Sequence, residues 1–92
     1  MRQRNVIGSQ VRRQRLLRGW SQEQLTAKLQ LQGLEISRSS VAKIENGIQA
    51  VFDYELLAFS HLFNVSEEAL HPTLDPISSD FRRKFLEFMG HE

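Results

Sequence analysis

Apolar residues recur along this chain at helical intervals, with no alternating strand pattern, and short capping signals divide them into separate helices. The first predicted helix runs from about Val6 to Arg18, with Ile7 and Val11 on one face and Gly19 placed to end it. Ser21 then offers an N-cap oxygen, Gln24 completes a capping box, and Trp20 and Leu25 flank the cap as a hydrophobic staple. This second helix continues through Leu29, or as far as Gln32, before Gly33 stops it. Ser37 caps a third, with Ile36 and Val41 repeating the staple, Val41 and Ile44 facing inward and Gly47 at its end. Asp53 is the expected cap of a fourth helix carrying Leu56, Leu57, Phe59, Leu62 and Phe63, which Asn64 closes. Ser66, followed by Glu67 and Glu68 in the first turn, starts a short fifth helix that stops at Pro72.

Residues 73–79, with Pro76 among them, read as a linker. Beyond it Phe81, Phe85 and Phe88 recur at helical spacing, with Leu86 and Met89 nearby, so a sixth, amphipathic helix is expected. The chain is therefore read as all-α: a five-helix bundle over residues 1–72, then a linker and C-terminal helix over 73–92. The stripe of Phe81, Phe85, Phe88 and Met89 fits homodimerisation, fits a protein partner, and fits packing against the chain's own core.

A length of 92 residues allows one small domain, with no room for a separate catalytic or sensory one. With no cysteine, disulfides, thiolate metal sites and a cysteine nucleophile are excluded. His61, His71 and His91 are scattered and share no ligand spacing, and His61 reads as a surface or core-edge residue. Neither an enzyme nor a metal or other cofactor is expected. No apolar run approaches a membrane span, and Met1-Arg2-Gln3-Arg4 opens onto polar sequence, so a cytoplasmic protein with no membrane contact is expected.

Net charge is only +1, but it is unevenly distributed. Up to Lys43, nine bases (Arg2, Arg4, Arg12, Arg13, Arg15, Arg18, Lys28, Arg38 and Lys43) face only Glu23 and Glu35, a net of +7. From Ile44 onward three bases face nine acids, a net of −6. A strongly basic half on a near-neutral protein is the electrostatic footprint of a polyanion site. The third helix supplies the matching chemistry, since Arg38, Ser39, Ala42 and Lys43 form its exposed face. Arginine and lysine donate to guanine O6 and N7, serine donates or accepts, and alanine leaves room for a thymine methyl.

Ile7-Gly8, Arg15, Gly19, Ser21-Gln22, Leu25, Leu29, Ser37-Arg38-Ser39-Ser40 and Lys43-Ile44-Glu45-Asn46-Gly47 resemble the XRE family of phage-repressor and Cro-like regulators. Asp53-Tyr54-Glu55-Leu56-Leu57 and Val65-Ser66 continue the likeness, which covers about Val6 to Leu70. The resemblance implies a phage-repressor-like helix-turn-helix fold, double-stranded DNA as partner, binding as a two-fold dimer, and a transcriptional regulator that represses. It implies base reading by Arg38, Ser39, Ala42 and Lys43 on the helix at about 38–46. It further implies phosphate contacts from Ser21, Gln22, Ser40 and Asn46, and a salt bridge between Arg15 and Glu45.

Two departures from the family stand out. The connection Gln30 to Ile36 is longer than the usual 3–4-residue turn and resembles a long-turn subgroup. The extra residues are expected to extend the second helix, with Leu31 and Leu34 tucked under it. After Gly47 the family often carries phosphate-holding bases, where this chain has Ile48-Gln49-Ala50-Val51. The competing reading is a protein-interaction module, such as the DNA-binding antitoxin of a toxin–antitoxin pair, with a partner held on the C-terminal helix.

Overall fold

Local capping chemistry sets the helix boundaries. The computed structural model describes residues 3–72 and 87–88, and in residues 3–72 the chain forms five helices and no strand. They are α1 (Gly8–Leu17), α2 (Gln22–Leu31), α3 (Arg38–Glu45), α4 (Asp53–Phe63) and α5 (Glu67–Leu70). Ser21 Oγ accepts from Gln24 N–H at 3.0 Å while Gln24 Oε1 accepts from Ser21 N–H at 2.8 Å, so two otherwise orphaned donors are satisfied reciprocally. Ser37 Oγ accepts from Ser40 N–H at 3.0 Å, and Ser66 Oγ from Ala69 N–H at 3.2 Å.

Two starts differ from the sequence expectation. At α4 the cap position belongs to Phe52, and Asp53 is the first helical residue. The Phe52 N–H donates to Glu55 Oε1 at 2.9 Å, which fixes the start one residue early and leaves Asp53 to favour the positive helix end. Helix α1 begins at Gly8 rather than Val6, because Asn5 Oδ1 accepts from the N–H groups of Ile7 (3.0 Å) and Gly8 (2.8 Å).

The ends share one solution. After α2, Gly33 at φ 93° lets its own N–H reach Gln30 O and the Leu34 N–H reach Leu29 O, closing the last carbonyls. Asn64, at φ 54°, does the same for α4 through Val65 N–H to Ser60 O.

Ile7, Val11, Leu25, Leu29, Ile36, Val41, Ile44, Phe59, Phe63 and Leu70 form one buried cluster drawn from all five helices and their approaches. Full burial of each phenylalanine is worth ~1.5–3 kcal/mol, and the Phe63 ring also stacks on Trp20 at 6.2 Å. Helix α3 packs on α1 and α2, α4 on α2 and α5, and α5 on α1. Leu34 lies half-buried against the core, but Leu31 does not tuck under α2: it is 87% exposed. Leu25 and Leu29, one turn apart, set the inward face, and a residue two beyond Leu29 falls on the opposite side. The linker and sixth helix expected over 73–92, with Phe81, Phe85 and Met89, lie outside the described residues; of that stretch only Glu87 and Phe88 are described, both helical.

Candidate nucleic-acid interface

Three helices meet at one carboxylate. Arg15, from α1, donates through Nε to Glu45 Oε2 at 2.7 Å and through Nη2 to Glu45 Oε1 at 3.0 Å. Its remaining Nη1 donates to Trp20 O at 2.8 Å, and Gln22 Nε2 on α2 donates to Glu45 Oε1 at 3.1 Å. The two charged side chains are 10% and 2% exposed. Glu45 is the last residue of α3, so this bidentate pair and its amide partner fix α3 against both neighbours. The hydrogen bonds that Arg15 donates to Glu45 hold its pKa above the ordinary value, outweighing the desolvation that burial imposes. The guanidinium is cationic at any working pH.

The other side of α3's end is clasped by Asn5, a residue the sequence reading did not single out. Its Nδ2 donates to Ile44 O at 3.1 Å and to Gln49 O at 2.8 Å, while its Oδ1 takes the two α1 donors described above. Every hydrogen-bonding position of this buried amide is filled. An Asn just ahead of a predicted helix is a capping signal that could have found half of this arrangement. The other half spans about forty residues of sequence, and no local pattern announces it. Gly8 allows the close approach: a methyl group there would stand 2.1 Å from Ile44 O.

Held this way, α3 leaves Arg38, Ser39 and Lys43 exposed along one side, with Ala42 half-buried beside them. Asn46 is exposed at the C-cap and Ser40 half-buried at the first turn. Arg38 Nε lies 3.8 Å from Glu23 Oε1 on α2, both side chains being largely exposed, and a pair of this kind is worth only ~0–1 kcal/mol. It leaves the guanidinium free to exchange partners. Ser21 and Gln22 lie at the start of α2, the one engaged in its capping box and the other on Glu45.

The described bases of the basic half divide into two populations. Arg15 is consumed by Glu45. Arg18 lies over the Phe63 ring at 5.0 Å and donates to Phe63 O, and Lys28 Nζ lies 4.7 Å over the Trp20 ring, so both partly serve packing. Arg4, Arg12, Arg13, Arg38 and Lys43 are exposed. Among the described residues no set of His, Asp or Glu is placed to hold a metal ion, and no helix is long and apolar enough to cross a membrane.

Compared with known proteins, the chain matches the helix-turn-helix (HTH_3) family model over residues 11–70, from within α1 to the end of α5. No curated protein and no solved structure matches it. The family match covers the helices that meet at Glu45 and the whole exposed face of α3. The chain belongs to the helix-turn-helix family and is a DNA-binding transcriptional regulator of the XRE type.

Proposed function

We propose that the protein is a repressor that binds a two-fold operator by laying α3 in the major groove. The observation that carries this reading is the exposed row of Arg38, Ser39 and Lys43, with half-buried Ala42 beside it, on a helix anchored through a buried ion pair. Arg38 and Lys43 donate to guanine, Ser39 bonds either partner of a base pair, and Ala42 accepts a thymine methyl. Ser21, Gln22, Ser40 and Asn46 contact phosphates and set the register of the helix. A small protein seated on a promoter blocks polymerase by occupancy, and it does so in the cytoplasm, where the DNA is.

The test begins by selecting bound sequences from a random DNA pool, then measures variants on the selected site. Arg38→Ala is expected to cost ~1–3 kcal/mol there and to flatten preference at one base position. Gln22→Ala is expected to weaken all sequences by similar factors, since phosphates carry no sequence information. An Arg38→Ala variant as selective as wild type would remove α3 as the reading helix.

Homodimerisation through Phe81, Phe85, Phe88 and Met89 completes the proposal, placing two copies of α3 about 34 Å apart, one turn of DNA. Linking two half-site contacts raises affinity without any new contact to DNA. Deleting the residues after Pro76 is therefore expected to give a folded monomer in the ultracentrifuge with much weaker operator binding. A truncated protein that stays dimeric and binds normally would move the interface to α4. There Phe52 and Tyr54 stack at 5.6 Å and are exposed, as is Leu57.

A further inference from the structure

The backbone leading into α1 runs past the far end of α3. The Arg4 N–H donates to Gly47 O at 2.7 Å, and the Asn5 side chain ties the next residue to Ile44 and Gln49. Gln3 flanks the same turn, since a methyl on Gly47 would come 3.7 Å from its Cγ. Arg4 sits between Gln3 and the anchored Asn5 with its side chain exposed. The stretch after Gly47, from Ile48 to Phe52, carries no charge, and among the described residues Arg4 is a base whose main chain is fixed beside that turn.

Such a position has a consequence for DNA. The major groove is about 12 Å wide and a helix with its side chains about 10–12 Å across, so the phosphate strands wall in whatever lies there. At eight residues α3 is about 12 Å long, which brings its C-terminal turn to one of those walls. We propose that Arg4 grips a backbone phosphate on the strand passing the C-terminal end of α3, held in place by the Asn5 clasp and the bond to Gly47. The inference rests on α3 being the helix in the groove. The main chain at Arg4 is already pinned, so only its side chain has to be ordered on binding, and the contact loses less to entropy than one from a free tail.

Arg13 supplies the comparison. It is equally basic and exposed, but lines the seam between α1 and α5 with Glu68 and Pro72, away from the outer face of α3. Affinity of the full chain is measured against salt for wild type, Arg4→Ala, Arg4→Lys, Arg13→Ala and Arg38→Ala, on the selected site and on a scrambled one. Arg4→Ala is expected to reduce the slope of log K against log salt by about 0.9, the loss of one neutralised phosphate. It should weaken both DNAs alike, by roughly five- to ten-fold near 0.1 M salt. Arg4→Lys is expected to keep the slope, and Arg13→Ala to leave it unchanged. The Arg4 side chain is exposed and its backbone bond survives substitution, so an unchanged melting temperature shows that the fold is intact.

An Arg4→Ala slope equal to wild type overturns the inference while leaving the role of α3 standing. Equal slope losses in Arg4→Ala and Arg13→Ala overturn it too, because they indicate diffuse charge rather than a contact. If Arg38→Ala keeps full sequence preference, the reading of α3 falls and this inference falls with it.

Discussion

Arg15→Ala is expected to lower stability by about 3–5 kcal/mol and DNA affinity with it, because it strands a buried carboxylate. Glu45 has 2% of its side chain exposed, and without Arg15 its only remaining side-chain donor among the described residues is Gln22 Nε2. Trp20 O loses its partner as well. In a domain of this size each kcal/mol shifts the midpoint by about 4–8 °C, so thermal unfolding should fall by more than about 10 °C. Affinity falls because Glu45 ends α3: when it seeks water, the C-terminal turn of the helix moves with it. A double replacement, Arg15→Met with Glu45→Met, is expected to recover much of the stability, since well-packed apolar residues often replace a buried pair at no net cost. The double variant should not recover operator binding to the same extent, because Gln22 also loses its partner. A single variant melting within about 2 °C of wild type would show that the pair behaves as an exposed one, worth ~0–1 kcal/mol.

Gly8→Ala is expected to destabilise by about 3 kcal/mol, the upper end of the usual overpacking range. Helix propensity alone predicts the opposite sign, since alanine is favoured over glycine by about 1 kcal/mol inside a helix. The obstacle is space rather than conformation. The new methyl would meet Ile44 O at 2.1 Å and Glu45 O at 3.0 Å, and both are main-chain atoms that no rotamer change can move aside. Relief requires α1 to withdraw from the end of α3, which stretches the Asn5 clasp and the Arg15–Glu45 pair together. Denaturant midpoints compare this variant with Ser9→Ala, one exposed position along, where almost no change is expected. A Gly8→Ala protein as stable as wild type would show that the two helices part without cost.

Both expectations come from the seam between α1 and α3, and this seam separates what the sequence holds from what the fold adds. The helices themselves are local events. Ser21 with Gln24, Ser37, Ser66, Gly33 and Asn64 act on partners within five residues, so their effects can be read along the chain. The same proximity explains the misplaced start of α4: Asp53 and Phe52 compete for one cap, and Glu55 decides it by bonding back to Phe52. The exposed row on α3 was legible for a related reason, since Val41 and Ile44 define the inward face and helical geometry fixes the rest.

The sequence by itself therefore determined an all-helical domain, its turns, and the polar face of α3. Only the tertiary structure decided which bases remain free. Arg18 and Lys28 count toward the basic half in composition, yet lie over aromatic rings contributed by Trp20 and Phe63. It also decided that Leu31 faces water and that Gly8 leaves no room for a methyl group beside Ile44 O. The amide of Asn5 finds partners 39 and 44 residues away, and the partner of Arg15, 30 residues away, was implied by the family resemblance and by no local pattern. Periodicity and capping signals act over one or two turns of helix and carry no information about which distant carbonyl or carboxylate a polar side chain will meet. That choice is made when helices pack, because a buried polar group costs free energy until it finds whatever partner the closed core brings to it.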